Sequence, residues 1–297
     1  NGTQSDIFEA LPDPKIPSID KPYGILVTGV GGTGVVTVGA LLGMAAHIEG
    51  KGCSILDMIG LAQKGGAVVS HVRLAQQPED IHAVRLASGG ADLILGCDII
   101  VAARGDNLSK VSSGETSAVI NTYETITGDF TRDPDFQFPT DELHSNIEQT
   151  VGPKKTHFVD ATRLATDLMG DSIASNMFML GYAFQKGLIP ISAEAIFKAI
   201  ELNGVAVQSN QSAFTWGRRA AHDVAAVQRI AAPSIPEPAE PDDPNTRLRT
   251  LIEDRIAFLT NYQNAQYAER YTRLVDRVRT VQAVNTPQDQ GLTETVA

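Results

Sequence analysis

The chain has 297 residues, 42% of them hydrophobic and 6% aromatic, enough for one large core and a small appendage. Its net charge of −11 argues against nucleic-acid binding, which needs a clustered basic face, and no apolar run approaches the roughly 20 residues of a membrane span. The opening at Asn1 has no basic, apolar leader, so a cytoplasmic location is expected.

Residues 1–20 hold Pro12, Pro14 and Pro17 without an apolar period and read as an extended arm. From Gly24 an apolar strand runs into Gly29-Val30-Gly31-Gly32-Thr33-Gly34 and then into a helix over 35–48. In Gly29-x-Gly31-x-x-Gly34 the first glycine permits the turn, the second lets a ligand approach the backbone, and the third lets the helix pack on the strand. Gly29, Gly31, Gly32, Thr33 and Gly34 are therefore candidate cofactor contacts, although a turn packed for steric reasons alone has the same string. The dinucleotide fingerprint also asks for an acid roughly 20 positions on, where Asp57 stands. A second glycine turn comes next, Gln63-Lys64-Gly65-Gly66, and these four residues join the first loop as candidates for an edge facing an anion or a partner.

Strands are expected at 54–57, 67–74 and 81–86, the last two as an antiparallel hairpin added to a parallel sheet. Segments 98–103 and 118–121 suit central strands or a short helix between them. Asn121, at a strand end, either reaches a ligand crevice or caps the next turn. The aperiodic stretch 128–139 is a loop suited to a subunit contact. A last strand is expected at 157–161, with Asp160 or Thr162 capping a helix to 169, followed by helices at 175–186, 192–202 and 208–230.

The two cysteines, Cys53 and Cys97, are isolated in apolar surroundings and read as reduced, buried thiols. A ferredoxin-type cluster takes four thiolates, so no iron–sulfur centre is expected here. The six histidines lack metal-ligand spacing. Ser70 and His71 are adjacent on a strand and point to opposite faces, which rules them out as a nucleophile–base pair. Arg73 and Arg85 either face one anion together or are solvated edge charges.

Prolines interleaved with acids mark a stiff linker over 232–246. Helical spacing resumes over 247–281 at Leu248, Ile252, Ile256 and Leu259, then at Tyr267, Tyr271, Leu274 and Val278. Between 245 and 280 seven arginines face four acids, so this segment reads either as a hairpin docking on an acidic partner or as ordinary solvated helices. Residues 282–297 read as a disordered tail.

The two glycine segments, together with Gly89-Gly90-Ala91-Asp92-Leu93-Ile94-Leu95-Gly96-Cys97-Asp98 and Ser175-Asn176-Met177-Phe178-Met179-Leu180-Gly181, resemble the gamma-type domain of 2-oxoacid:ferredoxin oxidoreductases over residues 21–231. Thr33 stands where that family more often has glutamine. The segment 251–264 is similar to the stretch C-terminal to the gamma domain in the fused, single-chain indolepyruvate ferredoxin oxidoreductases. The resemblance implies an α/β, Rossmann-like, mostly parallel sheet flanked by helices, with a C-terminal helical appendage after the linker. It implies a parent enzyme that oxidatively decarboxylates an arylpyruvate with coenzyme A as co-substrate, using thiamine diphosphate, magnesium and iron–sulfur clusters that this chain does not bind by itself. The thiamine signature is missing, and Gly170-Asp171 with Asn176 only echoes it. The partners so implied are thiamine-binding and iron–sulfur domains of the same enzyme, ferredoxin, and further copies in a homo-oligomer. Two alternatives are a stand-alone NAD(P)-dependent oxidoreductase and a non-catalytic assembly module.

Overall fold

The computed structural model describes residues 11–59, 66–124, 138–232, 244–285 and 291–296. The first ten residues of the arm, the tip Gln63-Lys64-Gly65, most of the 128–139 loop and the linker core from 233 to 243 lie outside the described residues. The chain divides into two units, 1–233 and 234–297.

The first unit is built on a six-stranded sheet in the order β2-β3-β1-β4-β5-β6. The strands are β1 (Tyr23–Val30), β2 (Gly52–Ile59), β3 (Ala67–Ala75), β4 (Leu93–Gly96), β5 (Ser117–Asn121) and β6 (Thr156–Val159). β1, β4, β5 and β6 are parallel neighbours, while β3 is antiparallel to both β1 and β2. The architecture is thus the helix-flanked, mostly parallel α/β sheet that the resemblance implies.

The link between β2 and β3 is too short for the dozen or more residues of a parallel crossover. The two strands therefore pair as a hairpin, from Gly52 opposite Ala75 to Ile59 opposite Val68. β3 then inserts beside β1 and β2 becomes an edge. The hairpin expected between 67–74 and 81–86 does not form, because residues 81–86 are not a strand. The chain has to start β4 on the far side of β1, so it crosses the face of β3 and β1 instead of pairing along them. The Leu86 amide donates to His71 Nδ1 (3.2 Å). A Cβ on Gly24 would lie 2.4 Å from the Gly90 carbonyl oxygen and 2.5 Å from the Leu86 side chain, so only glycine lets the crossing segment lie this close to β1.

The 98–103 segment holds a short helix: Asp98 caps α2 (Ile99–Ala102) by accepting from the Val101 amide (2.8 Å), and α3 (Gly105–Leu108) follows. α4 (Thr140–Val151) has no counterpart among the helices expected from the sequence, although Leu143, Ile147 and Val151 recur at helical spacing. Asp160 caps α5 (Ala161–Met169) at the Arg163 amide (3.1 Å). Beyond α6 (Ser175–Gln185) and α7 (Ala193–Asn203), the helix expected over 208–230 is two, α8 (Val207–His222) and α9 (Val224–Ala231). Asp223 breaks it with an extended backbone and caps α9 at the Ala226 amide (3.0 Å).

Side chains alternate between two cores, as the period of two along a strand requires. Ile25, Val27, Leu93, Leu95 and Val119 pack against α1 (Val35–Ile48), α5, α6, α7 and α8. Leu26, Ile94, Ala118 and Ile120 pack against α2 and α4. α6 and α8 cross in backbone contact. A Cβ on Gly181 would sit 1.9 Å from the Phe214 carbonyl oxygen, and one on Gly217 at 1.9 Å from that of Phe178.

The second unit comprises α10 (Pro244–Tyr262), α11 (Ala265–Asn285) and α12 (Gly291–Val296). Leu248, Ala268 and Val275 are its buried apolar residues. Helix occupies most of the stretch read as a disordered tail, because the Gln282 side-chain carbonyl oxygen accepts from the Thr293 amide (2.8 Å) and ties α12 back to α11.

Candidate functional site

In open α/β sheets ligands bind beyond the carboxyl ends of the strands where the strand order reverses. That reversal falls at β1, whose neighbours β3 and β4 lie on opposite sides. A cleft of about 610 Å³ opens there, and Gly32, Thr33, Asp98, Asn121, Thr162 and Asn176 are among its lining residues. It gathers the turn after β1, the cap of α2, the end of β5, the first turn of α5 and the start of α6.

The glycine turn has the backbone its sequence calls for at two positions: Gly32 (φ 89°) and Gly34 (φ 93°) are left-handed. A Cβ on Gly32 would meet nothing within 4 Å, so this residue presents bare backbone to the cleft. Gly34 precedes α1 without supplying any side-chain cap, and the first amides of that helix have no intrahelical partner. They follow directly on the cleft residues Gly32 and Thr33 and carry the positive end of the helix dipole.

The other candidate residues are committed within the fold. The Gly31 amide donates to the Gly66 carbonyl (2.7 Å), so the two glycine loops are bonded to each other. The Thr33 hydroxyl and amide both donate to the Val30 carbonyl (2.8 and 3.3 Å), and the Thr33 carbonyl accepts from Asn176 Nδ2 (2.7 Å). Gly29 is a packing position, since a Cβ there would lie 2.6 Å from the Val35 side chain. Asn121 is 3% exposed. Its Nδ2 donates to the Cys97 carbonyl (3.1 Å) and to the Thr162 hydroxyl (2.7 Å), and its Oδ1 accepts from the Ala161 amide (3.0 Å). It lines the cleft but acts as a clamp joining the ends of β4, β5 and α5.

Asp57 stands apart from this site. It lies on the edge strand β2, separated from β1 by β3, so it does not take the ribose position that a second strand adjacent to β1 would provide. Arg73 and Arg85 also lie away from the cleft; Arg73 pairs with Gly24 at the opposite end of β1.

Sequence reasoning did not single out Asp98, Thr162, Asp171 or Asn176 as cleft residues. Asn176 carries a readable signal, being an amide at the head of the otherwise apolar α6. The described lining holds two carboxylates, Asp98 and Asp171, and no lysine or arginine. Burial raises the Asp98 carboxyl above the usual range, against the Val101 amide that stabilises its anion. Burial and then the Asp98 charge push the Cys97 thiol up to about 12, so it stays protonated and unreactive at neutral pH. Cys53 is on β2, with β3 and β1 between it and the cysteine that follows β4, an arrangement that fits neither a disulfide nor a cluster.

The fold and this cleft define an α/β domain with a helix-flanked, mostly parallel sheet, and comparison with known proteins supplies its class. A family model described as pyruvate ferredoxin/flavodoxin oxidoreductase matches residues 24–220, and the chain belongs to that family, as a gamma-type domain. Residues 248–297 match a family of unknown function (DUF6537). The chain is 29% identical to the indolepyruvate oxidoreductase subunit IorB of Thermococcus kodakarensis over 217 residues, covering 69% of this chain and 98% of that one. The IorB subunit of Pyrococcus horikoshii matches to the same extent and identity. A solved 2-oxoglutarate:ferredoxin oxidoreductase from Magnetococcus marinus, with 2-oxoglutarate, coenzyme A and succinyl-CoA bound, shares the fold at a TM-score of 0.51 and 18% identity, over 68% of this chain and 31% of that one. Among the described residues no helix is long and apolar enough to cross a membrane.

Proposed function

We propose that this chain is the gamma-type part of an arylpyruvate oxidoreductase of the indolepyruvate type, which joins the decarboxylated acyl group to coenzyme A and passes electrons to ferredoxin. The observation that carries this reading is the Gly31–Gly66 hydrogen bond. It ties the turn after β1 to Gly66, the residue just before β3, beside the uncapped start of α1. The likeness to IorB subunits over nearly their whole length supports the substrate class.

The residues of this chain fit some of the implied groups and not others. Two cysteines on separate strands do not hold an iron–sulfur cluster, and no thiamine signature is present, so those groups belong to partner domains of the cytoplasmic assembly. The α1 amides and Gly32 suit one phosphate of coenzyme A, while Asp98 and Asp171 disfavour a second anion in the same cleft. Lys64, in the loop leading to Gly66, is the cation that would complete such a contact. The domain's work is then to shape the rim of the coenzyme A and thiamine region and to hold the subunits together.

The test is reconstitution. The full chain alone should give no viologen reduction with indolepyruvate and coenzyme A, and turnover should appear only with the thiamine-binding and iron–sulfur partners. In the reconstituted enzyme Lys64→Ala should raise the KM for coenzyme A roughly tenfold or more, the loss expected of one charge-assisted contact. An unchanged KM together with weakened assembly would leave the assembly-module reading in its place.

A further inference from the structure

At the end of the sheet remote from the cleft, three segments meet. Arg73 lies on β3 opposite Gly24, the second residue of β1. The 81–91 segment crosses beside it, with the Ala83 carbonyl accepting from Arg73 Nη1 (3.3 Å) and the Leu86 amide donating to His71 Nδ1 (3.2 Å). The loop after α3 is tied to that segment in turn, because the Gly89 and Ala91 amides donate to the Ser109 and Lys110 carbonyls (3.0 and 2.9 Å). The backbone thus brings Arg73, Arg85 and Lys110 around the imidazole of His71.

This grouping is unusual for a chain of net charge −11. Among the described residues none of the three cations lies within ion-pair distance of a carboxylate. Asp92, which follows the crossing segment, accepts instead from the Gly24 amide (2.7 Å). Arg73 Nε is buried and has no hydrogen-bond partner among the described residues. The charges are graded in depth, with His71 buried, Arg73 and Lys110 half-buried and Arg85 exposed. Cations grouped at graded depth without a paired carboxylate suit a small anion.

We propose that Arg73, Arg85 and Lys110, grouped around His71, form a binding site for a small phosphate-bearing anion, about 20 Å along β1 from the cleft. It is separate from the coenzyme A contact proposed above and does not depend on it. The electrostatics agree: burial first, then Arg85 and Lys110, hold the imidazole of His71 down at about 4, so it is neutral and lends the site no charge until an anion arrives.

The experiment is a titration of the full chain with inorganic phosphate at constant ionic strength, with chloride as the control, followed by the Nε–H resonances of arginine. Arg73 should shift saturably with phosphate and not with chloride, and the His71 midpoint should rise on binding. Arg85→Ala and Lys110→Ala should each weaken the apparent Kd roughly tenfold. Those two side chains make no hydrogen bond among the described residues, so both variants should fold. No saturable shift at Arg73, or a wild-type Kd in both variants, would overturn the proposal.

Discussion

The Gly31 amide and the Gly66 carbonyl are 2.7 Å apart, so the turn after β1 and the turn before β3 are a single hydrogen-bonded unit. A Cβ on Gly31 would lie 3.3 Å from that carbonyl and 3.5 Å from the Val68 side chain. Gly31→Ala should therefore be tolerated. The two γ-methyls that Gly31→Val adds must push Gly66 away, at a cost of about 1–3 kcal/mol. Urea unfolding of the two variants should separate them, and in the reconstituted enzyme only Gly31→Val should lose activity.

Asn121 makes hydrogen bonds to two distant stretches of chain, at Cys97 and at Ala161–Thr162. Asn121→Ala leaves the Cys97 carbonyl and the Ala161 amide unpaired in a buried place, at a cost of about 2–4 kcal/mol. Asn121→Asp keeps the acceptor for the Ala161 amide but loses the donor to Cys97, so it should fall between the alanine variant and wild type. Thermal unfolding orders the three proteins, and equal melting temperatures would show that the clamp contributes little.

The crossing of α6 and α8 leaves no room for a methyl group at 1.9 Å from a backbone carbonyl oxygen. Gly181→Ala and Gly217→Ala should each destabilise by more than about 3 kcal/mol, because the helices must separate along a fully buried contact. Circular dichroism melts would show it; a loss under about 1 kcal/mol would mean that the helices slide apart easily.

His71 sets a pH dependence whose sign comes from its depressed midpoint. The folded chain holds it near 4, whereas an unfolded chain titrates near 6.5. The unfolded state therefore binds more protons between those values. Stability is full above pH 6.5 and is lost as the pH falls toward 4, by at most about 3 kcal/mol. His71→Gln, which can still accept from the Leu86 amide, should flatten that slope in urea titrations at pH 7.5 and pH 5.

Nicotinamide cofactors should not bind the full chain with measurable affinity. Asp57 is two strands away from the glycine turn, and the cleft holds carboxylates where a diphosphate would want cations. Fluorescence titration with NADH checks this, and micromolar binding would revive the dehydrogenase reading.

Local order in the chain was sufficient for the turn after β1, for the Asp160 cap and for the helical spacing from Leu248 onward, since each depends on residues a few positions apart. The glycines at 29, 31 and 34 likewise announce a strand–turn–helix, because a tight turn and close packing need them wherever the domain sits. Strand order is another matter. The shortness of the β2–β3 link was visible, but only the assembled sheet shows β3 inserted beside β1, Asp57 exiled to the edge, and residues 81–86 crossing the sheet instead of pairing with it. The same holds for function: Gly31 and Asn121 look like ligand contacts from their positions at strand ends, yet their polar groups are consumed by Gly66, Cys97, Ala161 and Thr162. Those partners lie 24 to 41 residues away in the case of Asn121. A hydrogen bond of that span exists only once the chain is folded, so the choice between ligand contact and clamp was made by tertiary structure.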